Sequence, residues 1–211
     1  GFERLVRVIQ GKTSNYDTDI FAPLIHYVEQ ATGIPYRNDY SGEVMSDIAM
    51  RVLADHVRAV SFGIADGEMP SNTGAGYVLR RILRRAVRYY YTFLNTKEPL
   101  MHRLVPLLAD FFKDIFPGFQ EQRDFVKRVI EQEEISFLRT LEGGIKRFET
   151  LKATNTVIAG KDAFELYDTY GFPIDLTRLM ASEKGWSIDE KGFEKALQEQ
   201  KQRTRSDAKG A

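Results

Sequence analysis

The sequence of 211 residues contains no cysteine, one tryptophan and no net charge, with 30 lysines and arginines against 30 acidic residues. Without cysteine, disulfides and thiolate metal sites are excluded, and a reducing, cytoplasmic compartment is expected. No apolar run approaches the roughly 20 residues that a membrane span needs, and no charged-then-apolar leader opens the chain. Hydrophobic residues at 43% and charged residues at 28% exclude a wholly disordered chain and predict one large or two small domains.

The zero net charge hides a segregation of charge along the chain. No acidic residue lies between Glu68 and Glu98, although this stretch carries Lys97 and five arginines, namely Arg80, Arg81, Arg84, Arg85 and Arg88. The compensating acids lie elsewhere, notably at Glu131, Glu133 and Glu134. Segregation of this kind favours an anionic partner.

The apolar residues recur mostly at helical spacing, which predicts a mostly α, bundle-like fold. Asp17 is expected to cap a helix that Gly33 ends, and Ser46 or Asp47 to cap the next one. Pro117 and Gly118 are expected to end a helix, and Gly143-Gly144 to bend a long one in which Phe125 is buried. The other expected elements are helices at 77–94, 104–115, 120–152, 162–167, 175–184 and 189–205, and a β-prone patch at 156–159.

The helix predicted at 77–94 has two distinct faces. At 100° per residue, Leu79, Leu83 and Tyr90 lie on one side and a stripe of arginines lies on the other, namely Arg81, Arg84, Arg85 and Arg88. A solvated face is the ordinary interpretation of such a stripe. However, like charges at this spacing repel one another, and the planar guanidinium group of arginine can form paired hydrogen bonds with a phosphate. An RNA or DNA backbone is therefore favoured as the ligand of this face.

The loop PSNTGAGY, at 70–77, precedes that helix. Glycine-rich turns before a helix can bind phosphates, but this spacing matches neither a P-loop nor a dinucleotide fingerprint, so a nucleotide site is weakly supported. The loop presents Asn72, an amide with donor and acceptor, beside the arginines.

Metal and nucleophile motifs are not found. His26, His56 and His102 are far apart in sequence and are expected to be structural. The segment LYDTYGFPIDLT, at 166–177, places three aromatic residues around Asp168. It is either a functional site or a buried aromatic corner in which Asp168 caps a helix end.

Five motifs taken together resemble the alanyl-tRNA synthetase family, a group of class II synthetases. They are GFERL, GKTSNYDTDIF, RVLADHVRAVSFGIADGEMPSN, GYVLRRILRRAVR and LYDTYGFPIDLT, in the family's order. The match weakens only around residues 36–44 and 95–120.

The resemblance implies that residues 1–36 are the end of a catalytic domain and 37–211 a helical tRNA-recognition domain, and disorder is expected in the last residues. Arg4 would be the ATP-binding arginine of motif 3. Motifs 1 and 2 would lie outside the chain, as would the editing domain with its zinc, so the chain alone is expected to be inactive and to bind no cofactor. ATP and magnesium would serve the full-length ligase, and no protein partner is implied beyond the remaining domains.

The family recognises a G·U wobble at the third base pair of the tRNA(Ala) acceptor stem. By motif position, Asn72 and Asp168 resemble its two base-pair readers, while Arg80 and the arginine stripe would hold the RNA backbone. Two alternatives remain, a helical scaffold for an acidic protein and a non-specific RNA-binding module that uses helix 77–94.

Overall fold

The structure is a computed structural model that describes residues 2–207. Within these residues the fold is mostly α, as predicted, with nine α-helices and two short strands. The α-helices are α1 (Phe2–Ile9), α2 (Ala22–Thr32), α3 (Met45–Ala65), α4 (Gly74–Phe93), α5 (Val105–Phe112), α6 (Pro117–Glu149), α7 (Gly160–Asp168), α8 (Ile174–Glu183) and α9 (Glu190–Asp207). Two 3-10 turns, at Asn15–Asp17 and Met101–Leu104, precede α2 and α5. None of the described helices is long and apolar enough to cross a membrane.

The chain divides into two compact units, unit 1 (Gly1–Leu138) and unit 2 (Arg139–Ala211), and the division falls within α6. The domain boundary expected after residue 36 does not coincide with this division, and it stays a prediction. Disorder was expected in the last residues of the chain. Helix α9 extends to Asp207, and residues 208–211 lie outside the described part of the chain.

The core of unit 1 is built on α3 and α4. Apolar residues at helical spacing give α3 a fully buried face that includes Leu53, Val57 and Val60, and α4 buries Leu83 and Tyr90 in the same core. The helices approach closely where α3 carries Gly63, since a Cβ there would lie 2.6 Å from a Leu79 methyl. This packing makes α4 an interior helix along much of its length.

The segment between α2 and α3 is bound to the fold through two side chains of α3. Gly33 ends α2 in the left-handed conformation at φ 70°, as predicted. Asp47 does not cap α3 but is fully buried, and its carboxylate accepts hydrogen bonds from the N–H of Arg37 at 3.0 Å and of Asp39 at 2.8 Å. Arg51 donates to the carbonyl of Asp39 at 2.8 Å.

Three further predictions were wrong in their details. Asp17 lies within a 3-10 turn, and α2 begins after Phe21 without a side-chain cap. Pro117 and Gly118 begin α6 instead of ending α5, because a proline in the first turn loses no helical hydrogen bond. Phe125 is 42% exposed, and Val126 and Ile130 are the buried residues of that part of α6.

Unit 2 combines the end of α6 with α7, α8, α9 and a two-stranded parallel sheet. The predicted β-prone patch forms strand β1 (Val157–Ile158), which pairs with β2 (Ser187–Ile188). Helices α7 and α9 meet at two glycines, since a Cβ on Gly160 would lie 2.6 Å from the Cα of Gly192. Such proximity of two backbones requires glycine.

Candidate nucleic-acid interface

The loop that precedes α4 folds back over the first turn of this helix. The N–H of Ser71 donates to the carbonyl of Gly76 at 3.1 Å, and the Ser71 hydroxyl donates to the carbonyl of Thr73 at 2.8 Å. A Cβ on Gly76 would collide with the Met69 carbonyl oxygen, so Gly76 allows the loop backbone to pass. The loop is therefore held in place, with Asn72 exposed at its tip.

Arg80 connects this loop to α6. Its Nη1 donates to the Oδ1 of Asn72 at 2.6 Å, and its Nη2 donates to the carbonyl of Pro70 at 3.3 Å. The same guanidinium forms a bidentate ion pair with Glu133, in which Nε lies 3.2 Å from Oε2 and Nη2 lies 2.5 Å from Oε1. The Arg80 and Glu133 side chains are 19% and 14% exposed.

Two members of the expected arginine stripe are packed within unit 1, while the role of the stripe in holding the RNA backbone stays a prediction. Arg84 lies 3.4 Å from Glu133 and stacks over Phe137, and its side chain is 12% exposed. Arg88 is buried at 6% exposure, and its guanidinium lies 5.0 Å from the centre of the Phe93 ring. Tertiary packing thus places Glu133 against a helix that has no acidic residue of its own.

Arg85 is the exposed arginine of the stripe. Arg81 is half-buried, Arg85 is exposed, and the Arg85 guanidinium lies 5.8 Å from the Tyr89 ring. The hydrogen bond from His56 holds the pKa of Asp55 below its usual value despite partial burial, and the charges of Arg58 and Arg85 act in the same direction. The positive charge of this face therefore reaches neighbouring carboxylates.

The segment around Asp168 forms the aromatic corner of unit 2. Phe172 is fully buried, and its ring contacts the helical glycine pair, since a Cβ on Gly144 would lie 2.5 Å from the Phe172 ring. The Thr140 hydroxyl donates to the carbonyl of Tyr170 at 2.7 Å. Gly143-Gly144 lies within the continuous helix α6, so the pair admits two aromatic rings and does not end the helix.

Asp168 itself is exposed at the last position of α7, and it accepts a hydrogen bond from Nε2 of Gln200 in α9. It caps no helix, because α7 and α8 begin after Ala159 and Pro173 without side-chain caps. A carboxylate at the C-terminal end of a helix faces the negative end of the helix dipole, so helix stability does not explain this residue. The capping alternative is therefore wrong, although the aromatic corner itself is present.

Arg4 lies exposed on α1, a helix without a buried residue, and neighbouring Glu3 pairs with Arg58 of α3 at 2.5 Å. An exposed guanidinium fits a single charge-assisted contact to a nucleotide phosphate. Within residues 2–207 no group of three or more His, Asp or Glu residues could hold a metal ion. His102 is buried against Glu134 at 3.0 Å, whereas the His26 side chain is 63% exposed.

The structure thus brings Asn72 together with Arg80 in unit 1 and Asp168 together with Gln200 in unit 2. Sequence reasoning missed Glu133 as the partner of the arginine helix, and it missed Gln200. The sequence did show a cluster of acidic residues at Glu131, Glu133 and Glu134. It did not show that this cluster packs against the arginine helix.

Unit 1 thus presents an exposed amide beside arginines, and unit 2 presents an exposed carboxylate. Side chains of these types recognise base edges and phosphates of nucleic acids. The family described as tRNA synthetases class II (A) matches residues 1–211, so the chain belongs to that family.

Similar proteins sharpen this assignment. The chain is 56% identical to the alanine–tRNA ligases of Cytophaga hutchinsonii and Porphyromonas gingivalis, and 54% identical to that of Flavobacterium psychrophilum. Each alignment covers 98 or 99% of this chain and 24% of the relative. The chain therefore spans about a quarter of the length of these relatives.

Proposed function

We propose that this chain is the part of an alanine–tRNA ligase that recognises the acceptor stem of tRNA(Ala), including the G·U wobble at its third base pair. Asn72 and Asp168 read the base pair, and arginines of α4 hold the RNA backbone. The observation that carries the proposal is the exposure of Asn72 and Asp168, of which Asn72 accepts a hydrogen bond from Arg80 of α4 and Asp168 one from Gln200 of α9.

The chemistry of the wobble pair suits these two side chains. The wobble leaves the exocyclic amine of guanine unpaired in the minor groove and shifts uracil toward the major groove. The carboxylate of Asp168 is the natural acceptor for the amine, and the shallow minor groove of RNA is accessible to it. The amide of Asn72 can bond the displaced uracil.

The proposal gives the backbone contacts first to Arg85, because it is exposed, and next to half-buried Arg81, which lies one helical turn before it. Arg84 and Arg88 are packed in the protein. The alternative of a scaffold for acidic proteins rests on the same arginines, and it does not account for Asp168.

In the full-length ligase, ATP-dependent attachment of alanine uses ATP and magnesium, and ATP supplies the activation of the amino acid. Within this chain Arg4 would contact the nucleotide, and it retains an exposed guanidinium suited to a phosphate. We propose a cytoplasmic location, in keeping with a chain that contains no cysteine.

The first experiment compares two acceptor-stem hairpin RNAs, one with G·U and one with G–C at the third pair. In the full-length protein, Asp168→Asn is expected to lower the ratio of kcat/KM for G·U over G–C by about 10- to 100-fold, because the variant loses the charged acceptor for the guanine amine. The variant keeps nearly the same shape, so its thermal midpoint should not change.

Asp124→Asn is the matched control, because Asp124 is another exposed aspartate, 74% exposed on α6. It should leave the ratio unchanged. An unchanged ratio in Asp168→Asn would contradict the proposed role of Asp168. Equal binding of both hairpins by the unmodified protein would favour the non-specific RNA-binding alternative.

A second prediction concerns the RNA backbone. Replacing Arg81 and Arg85 together with glutamine should weaken binding of both hairpins alike, and it should reduce the slope of log K against log salt by about 1.4, since each phosphate contact contributes about 0.7. Fluorescence anisotropy titrations at several salt concentrations measure this slope. Lys113→Gln, at an exposed lysine next to α5, controls for the loss of positive charge. Loss of discrimination without a change of slope would be inconsistent with backbone contacts.

A further inference from the structure

The amide of Asn72 is held in one orientation. Nη1 of Arg80 donates to Oδ1 of Asn72 at 2.6 Å. A guanidinium carries only donors, so the amide must turn its oxygen toward Arg80. The amide NH2 group is therefore the end that points away from Arg80.

Arg80 is fixed in turn by contacts within unit 1. Nε and Nη2 donate to the two carboxylate oxygens of Glu133 at 3.2 and 2.5 Å, and Nη2 also reaches the carbonyl of Pro70 at 3.3 Å. The planar guanidinium forms two parallel hydrogen bonds with the carboxylate, which fixes the orientation of the Arg80 side chain as well as its distance from Glu133. Both side chains are less than one-fifth exposed, so water competes weakly for these bonds.

We propose that Arg80 is a positioning residue for base-pair recognition: Glu133 orients Arg80, and Arg80 orients Asn72 so that its amide presents a donor to the RNA. Arg80 is then not a phosphate contact, in contrast to the role that the resemblance implied for it. This proposal rests on the proposed role of Asn72.

The orientation has a chemical consequence for specificity. At its major-groove edge, uracil presents a carbonyl oxygen, whereas cytosine presents an amine at the equivalent position. A fixed NH2 donor can bond the former and not the latter. An amide free to rotate by 180° could present its oxygen to the cytosine amine, and this discrimination would be lost.

The test is a double-mutant cycle in the full-length protein, with the kcat/KM ratio for the G·U and G–C hairpins as readout. Arg80→Lys keeps the positive charge that a phosphate contact needs, but it loses the planar fork. We expect this variant to lower the ratio by about tenfold, with a lower G·U value and a G–C value that does not fall. Asn72→Ala should lower the ratio by a similar factor, and the double variant should lower it no further, because both changes remove one interaction.

Two further variants guard against a trivial loss of folding. Glu133→Gln keeps the shape of the anchor and weakens its bond to Arg80, so it should lower the ratio in the same direction with an unchanged thermal midpoint. Asn72→Asp keeps an acceptor for Arg80 but has no donor, so it should match Asn72→Ala. Arg123→Lys is the matched control, because Arg123 is a half-buried arginine of α6 that also pairs with a carboxylate, that of Asp124, and it should leave the ratio unchanged.

The outcomes separate the two proposals. If Asn72→Ala lowers the ratio and Arg80→Lys and Glu133→Gln do not, the positioning role is wrong and the proposed role of Asn72 stands. If Arg80→Lys lowers kcat/KM equally for both hairpins, also in the Asn72→Ala background, Arg80 is a direct backbone contact. If Asn72→Ala leaves the ratio unchanged, the proposed role of Asn72 fails and the positioning role fails with it.

Discussion

Replacing Glu134 with alanine is expected to lower the free energy of unfolding of unit 1 by about 3 to 5 kcal/mol. Glu134 is fully buried, and its carboxylate joins α6 to α4 and to the 3-10 turn before α5. It accepts hydrogen bonds from the Tyr90 hydroxyl at 2.9 Å and from the N–H groups of Leu100, Met101 and His102 at 3.0, 2.6 and 3.1 Å. Alanine would leave these buried donors without a partner, and each unsatisfied donor carries a penalty of about 1 to 3 kcal/mol before relaxation.

Urea unfolding followed by far-UV circular dichroism measures this effect. Tyr90→Phe is the graded comparison, because it removes one donor and leaves the others, and it should lower stability by about 1 kcal/mol. Burial, together with the charge of Glu134, raises the pKa of the Tyr90 hydroxyl, which keeps it a neutral donor. Glu121→Ala, at an exposed site of α6, should have little effect. A loss below 1 kcal/mol for Glu134→Ala would mean that water replaces the carboxylate.

The second large effect is expected for Gly160→Ala, which should destabilise unit 2 by about 3 kcal/mol. The added methyl group would meet the backbone of Gly192 and Phe193 in α9. A backbone cannot rotate away as a side chain can, so the two helices must separate and lose their packing. Helix α7 also carries Asp168 and α9 carries Gln200, so the variant should disturb the presentation of Asp168 as well.

The single tryptophan provides a local probe of this change. Trp186 lies in unit 2, with its ring centre 6.4 Å from that of Phe148, so its fluorescence during urea unfolding follows this unit. Gly118→Ala is the matched control, because a Cβ at Gly118 meets nothing within 4 Å. Because Gly118 lies in unit 1, that variant should leave the unfolding transition followed by Trp186 unchanged. Equal effects of the two substitutions would contradict a close helix crossing at Gly160.

Much of the secondary structure could be predicted because its causes are local. Apolar spacing predicted α4 and the long helix α6, and the β-prone patch at 156–159 became β1. Gly33 ends α2 because a left-handed residue there closes the last turn. Asn72 and Asp168 were singled out by their motifs, and both are exposed, while their role in recognition stays a prediction.

Predictions that depended on the partner of a polar side chain were less successful. Asp17 and Asp47 were both suited to cap a helix, but the nearby chain offered Asp47 two backbone donors, from Arg37 and Asp39, and burial made those bonds decisive. The bend expected in α6 at Gly143-Gly144 stays a prediction. The contacts of this pair with Tyr170 and Phe172 could not be predicted, because those residues lie more than 25 residues further along the chain.

The mostly helical fold, the clustered arginines of α4 and the distinctive motifs around Asn72 and Asp168 all follow from the amino-acid sequence. The accessibility of each arginine, in contrast, depends on how the helices pack. Charge segregation along the chain favoured an anionic partner for the whole stripe, but Glu133, about 50 residues away in sequence, pairs with Arg80 and Arg84, and Arg88 is buried among aromatic rings. The physical reason is that helical periodicity fixes the face on which a charge lies, whereas the accessibility of that charge depends on the neighbour that packs against the face.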